Sequence, residues 1–92
     1  MNNSNDFFQK FSLLKEAFEP NCKRADISPE SAIFLVALHY GTNLSHFFKD
    51  EYKTELEKVG FITENNFEIK LTGKGSIFAK SLEPTLKKIL SI

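Results

Sequence analysis

Apolar residues recur along this chain in runs that change period, and the changes divide it into elements. Phe7, Phe11, Leu14 and Phe18 repeat at steps of four, three and four, which is one stripe of a helix over residues 6–19. Asp6 and Gln9 have the spacing of a capping box at its start, and Pro20 is expected to stop it. Residues 21–26 then read as a loop. Ser28 is a good N-cap, Pro29 suits the first helical position, and Gly41 closes a second helix. Between them Ile33 to Leu38 leave almost no polar face, the pattern of a buried central helix.

Leu44, Phe48, Tyr52, Leu56 and Val59 mark a third helix over residues 43–59, ended by Gly60. The period then drops to two. Phe61-Ile62-Thr63 opens a strand, Glu64-Asn65-Asn66 turns the chain, and Phe67 to Leu71 alternates as a half-buried strand does. Thr72 caps a last helix with apolar positions at Ile77, Phe78, Leu82, Leu86, Ile89 and Leu90. That stripe crosses Pro84, which implies one kinked helix or two abutting ones. The expected fold class is α+β, mostly α, with three to five helices and one two-stranded β-hairpin in a single domain over residues 1–92.

The segment Leu56-Glu57-Lys58-Val59-Gly60-Phe61-Ile62, followed by Ile69-Lys70-Leu71-Thr72-Gly73-Lys74-Gly75, resembles the recognition-helix end and wing of winged-helix regulators of the MarR type. Ile27-Ser28-Pro29 resembles the opening of their central helix. The resemblance implies a winged helix-turn-helix fold, double-stranded DNA as partner, transcription regulation as function and a homodimer built from the terminal helices. Only residues 42–59 are available for the two helices that the family places between central helix and Gly, so the helix-turn-helix is shortened.

Charge complicates the DNA reading. Twelve basic residues balance twelve acidic ones, and Arg24 is the one Arg among them. A domain that wraps nucleic acid commonly carries a basic excess, because phosphate neutralisation supplies most non-specific affinity. The outward face of the third helix, read as His46, Phe47, Asp50, Lys53, Thr54 and Glu57, is itself net acidic. DNA contacts therefore fall to Lys49, Lys53, Lys70 and Lys74, with Asn65 and Asn66 at the wing tip. The alternative is a winged-helix protein-interaction module, an adaptor or inhibitor that does not bind DNA.

Ten Phe is high for 92 residues. Phe8 lies off the first stripe and Phe47 faces outward, so both suit a partner surface. Phe7, Phe8, Phe11, Leu86, Ile89 and Leu90 are the expected dimer positions, with Phe47 as a further partner contact. The Lys, Asn, Phe and Ile bias fits an AT-rich genome, bacterial or phage.

The remaining motifs exclude more than they suggest. Gly73-Lys74-Gly75-Ser76 lacks the earlier Gly of a phosphate loop and has Glu68 there instead, so it reads as a helix start. His39, His46 and Cys22 have no metal-ligand spacing, and no element sets Cys22 beside a His as a dyad. No enzyme activity, metal or cofactor is expected. One cysteine permits no internal disulfide, the polar start is not expected to act as a signal peptide, and the longest apolar run is too short to span a bilayer. These point to the cytoplasm. The Asn43-Leu44-Ser45 sequon carries no weight there.

Overall fold

The computed structural model describes residues 10–41, 49–66 and 68–90. Within them the order is α1 (Phe11–Ala25), α2 (Pro29–His39), α3 (Asp50–Lys58), β1 (Ile62–Asn65), β2 (Glu68–Leu71) and α4 (Gly73–Leu90). The fold is α+β and mostly α, as the periodicity predicted, and the four described helices with one antiparallel hairpin are compatible with winged-helix topology.

α2 is the centre. Residues Ser31 to Ala37 are all buried, and α1, α3 and α4 each pack on it. Ser28 caps it as expected, its hydroxyl accepting from the Ser31 N–H at 3.3 Å. Around α2 the core gathers Leu14, Phe18 and Cys22 from α1, Leu56 from α3, Phe61 and Ile62 from the hairpin entry, and Ala79, Leu82 and Leu86 from α4. Phe61 stacks on Phe78 with centroids 4.8 Å apart.

Three expectations fail, each for a local reason. Pro20 does not stop the first helix, which runs on to Ala25 through the segment read as a loop. Pro20 lies on the exposed side, so the carbonyl it leaves without an amide partner, that of exposed Glu16, is solvated rather than buried. The true stop is a Schellman motif. Asp26 takes the left-handed conformation (φ 61°), its N–H donates to the Lys23 carbonyl, and the Ile27 N–H donates to Cys22.

The third helix is not continuous over residues 43–59, because Lys49 is extended (φ −125°, ψ 142°) and α3 starts at Asp50. Asp50 and Glu51 sit in its first turn, where the amide end of the helix favours negative charge. Residues 42–48 lie outside the described residues.

The turn is displaced towards the C-terminus. Ile62 pairs with Leu71, Glu64 with Ile69 and Asn65 with Glu68, so Glu64 and Asn65 belong to β1. Asn66, at φ 52°, begins the reversal, a conformation Asn tolerates. Of the two forms left open across Pro84, the structure takes the single helix, α4.

The hairpin is clamped between two helix ends. At the exit of α3, Gly60 (φ 81°) lets the Phe61 N–H return to the Leu56 carbonyl at 2.9 Å, a second Schellman motif. At the entry of α4, the Thr72 hydroxyl accepts from the Gly75 N–H at 3.0 Å and donates to the Gly60 carbonyl at 2.6 Å. One side chain thus caps α4 and ties it to the end of α3.

Candidate functional site

Two surfaces compete for the role of site. The first joins α3 to the hairpin, where the sequence placed the DNA contacts. Lys49, Asn65, Asn66, Lys70 and Lys74 are all exposed there. Lys53 is not a free cation. Its ammonium donates to both carboxylate oxygens of Glu64 at 3.1 Å, and that hydrogen bond holds the amine above its ordinary range. Lys70 lies 3.8 Å from Glu68, and Lys74 stands over the Phe61 ring at 5.7 Å.

Elsewhere on α3 the surface turns acidic. α3 carries four acids against two lysines. A cleft of about 560 Å³ between α3 and the α1–α2 junction is lined by Asp26, Glu51, Thr54, Glu55, Lys58 and Val59. A smaller one of about 210 Å³ adjoins it, with Glu30 and Tyr52 on its wall.

Glu55 has a structural task. Its Oε1 accepts from the Ser28 N–H at 2.7 Å, the Ser28 hydroxyl at 2.9 Å and the Ser31 hydroxyl at 2.6 Å. Burial pushes the carboxyl up, but these three donors outweigh it and leave the group below the usual carboxylate range. α3 is thereby fastened to the N-cap of α2. The sequence held one sign of this: Glu55 adjoins Leu56 on the inward side of α3.

The second surface runs along α1 and α4. Leu13, Glu16, Ala17 and Ile89 line an apolar groove of about 390 Å³, and Leu13 is 54 % exposed. A second groove further along the pair, about 320 Å³, is walled by Asn21, Arg24, Ala25, Phe78 and Ser81. Of the expected dimer positions, Ile89, Leu90 and Phe11 are half-buried at the edge of the core. Leu86 is a correction: at 1 % exposure it belongs to the core and is unavailable to a second chain. Phe7, Phe8, Phe47 and His46 lie outside the described residues. Ile77, expected on the apolar stripe of the last helix, is instead 72 % exposed, and Leu13 belongs to no stripe in the sequence because it adjoins Leu14, which does.

Chemistry finds little here. Cys22 is 1 % exposed, and burial first, then Glu55, Glu30 and Glu19, push its thiol up to about 12, so it is protonated and shielded. Among the described residues no three His, Cys, Asp or Glu side chains gather as metal ligands, and no helix is long and apolar enough to cross a membrane. Compared with protein-family models, with curated proteins and with solved structures, the chain matches none.

Proposed function

We propose that this chain is a small non-enzymatic binding module of winged-helix shape whose primary contact is with protein, and first with a second copy of itself. The observation that carries this is the α1–α4 groove, where Leu13 stands half out of the surface beside Ala17 and Ile89. Terminal helices are where the resemblance to MarR-type regulators puts a dimer. The lone buried thiol suits a reducing, cytoplasmic setting.

The test is mass against concentration by sedimentation equilibrium. The wild type is expected to shift from monomer to dimer, and Leu13→Glu to stay monomeric with its helical signal intact. A wild type that remains monomeric at every concentration sinks the dimer.

A second reading keeps the chain as a DNA-binding transcriptional regulator of the MarR type, contacting phosphates from Lys49, Lys70 and Lys74 with Asn65 and Asn66 at the wing tip. The exposure of all five supports it. The acidic cleft along α3 and the Lys53–Glu64 pair weigh against α3 entering a groove as a recognition helix. This reading expects Lys70→Gln with Lys74→Gln to weaken binding to a duplex, measured by fluorescence anisotropy. Unchanged binding by the double variant removes the wing from it.

A further inference from the structure

Three lysines in no salt bridge, Lys74, Lys80 and Lys88, lie on α4, the helix expected to serve a dimer. The helix carries Lys74, Lys80, Lys87 and Lys88 against a single acid, Glu83. At about 100° per residue the four lysines, with Ile77, Ser81 and Pro84, fall in one outward sector of about 140°. Every residue of that sector is exposed. Glu83 borders it and is already engaged, accepting from Lys87 at 2.9 Å and from the Tyr40 hydroxyl. Among the described residues Lys80 and Lys88 are in no ion pair. Arg24 of α1 adds a cation across the groove from Ser81.

We infer that the outward face of α4 is a binding surface for the phosphate backbone of duplex DNA, read without regard to base sequence. Lys74 to Lys88 spans about 21 Å at 1.5 Å per residue. A duplex presents about one charge per 1.7 Å of axis, so a dozen phosphates lie along that length. Lysine suits this task as a point charge that needs no bidentate geometry. An anionic membrane is the poorer fit. A helix lying in a lipid interface must sink its apolar side into the acyl boundary, and here Ala79, Leu82 and Leu86 are spent on the core. The inference is independent of the dimer, and it shares with the wing reading only Lys74 and the class of ligand.

The experiment is duplex binding by fluorescence anisotropy, with a short DNA of arbitrary sequence, over a salt series. Lys74, Lys80 and Lys88 as the free cations give an expected slope of log affinity on log salt of about −2.7, or about 40-fold between 50 and 200 mM. Lys80→Gln with Lys88→Gln should bring the slope to about −0.9 while the circular dichroism stays that of the wild type. Lys49→Gln with Lys70→Gln should leave the slope near −2.7. A slope that falls with the second pair and not the first moves the contact to the wing and overturns the inference. So does wild-type protein that ignores duplex at low salt, or that binds anionic vesicles in preference to it.

Discussion

Gly75 and Gly73 are two residues apart in one short string, and the structure predicts opposite outcomes when each becomes alanine. Gly75 is buried where the first turn of α4 crosses the entry of the hairpin. A Cβ there runs into the Phe61 carbonyl oxygen and stands 2.8 Å from the carbonyl carbon and 3.1 Å from the Cα. All three are backbone atoms, so no side chain can turn aside. The same carbonyl accepts from the Thr72 N–H at 3.0 Å, which fixes it from the other side. Alanine at 75 thus forces α4 away from Phe61 and loosens the Phe61–Phe78 stack.

Overpacking of a closed site costs about 1–3 kcal/mol, and a backbone clash belongs at the upper end. Replacing a helical glycine returns about 1 kcal/mol of helix propensity. The net is a loss of about 2 kcal/mol, or about 8–16 °C in Tm for a domain of this size. At Gly73 a Cβ meets nothing within 4 Å, so only the gain remains, about 0.4–1 kcal/mol. Thermal unfolding followed by circular dichroism, with urea midpoints as a cross-check, reads both. Gly73→Ala should melt a few degrees above the wild type and Gly75→Ala well below it. If Gly75→Ala melts at or above the wild type, the close approach of α4 to the hairpin is wrong, and with it the reason given for glycine there.

Three single sites give four further outcomes. Glu55→Ala removes three donors' shared acceptor and leaves the fully buried Ser31 hydroxyl with the Ser28 hydroxyl for partner; hydrogen bonds to charged groups put the loss at about 2–3 kcal/mol, read as a lower urea midpoint, with Glu55→Gln losing less. Because the Glu55 carboxyl is held below its usual value in the folded protein, its contribution is present above pH of about 4.3 and disappears as pH falls through the lower folded value, so the acid limb of stability should flatten in Glu55→Gln. Asp26→Gly relieves a left-handed side chain at the end of α1 and should raise Tm by a few degrees, a gain of about 1 kcal/mol. The Cys22 thiol should resist a thiol-specific reagent at neutral pH in the native protein and react at once in denaturant; fast native labelling would contradict its burial.

How far the fold was legible depends on whether the signal was local. The N-cap at Ser28, the left-handed stop at Gly60 and the alternation from Glu68 to Leu71 are written in one to five consecutive residues, and each is found where the pattern puts it. The failures at Pro20 and Lys49 are contests between a local rule and tertiary packing. Leu14, Phe18 and Cys22 continue one stripe past Pro20, and burying it outweighs a missing amide on the wet side of the helix. That continuation was visible at steps of four, but a proline was read as a stronger signal than a cysteine. At Lys49 the reverse holds: the apolar stripe suggested continuity, while the adjacent acids Asp50 and Glu51 marked a helix start.

The site was harder to read than the fold because a net charge of zero conceals how the charges are distributed. Opposite charges on different elements give no hint in the sequence of whether they neutralise each other or gather on separate faces. Here both occur. Lys53 and Glu64 cancel across the α3–β1 junction, which removes a cation from the surface the resemblance made functional. Among the described residues no salt bridge joins the acids of α3 to the lysines of α4. A winged-helix domain contacting phosphates through its α3 would need that arrangement inverted. Substitutions on α4 that leave melting unchanged but alter the salt dependence of binding therefore test the α4 proposal more directly than any change on α3.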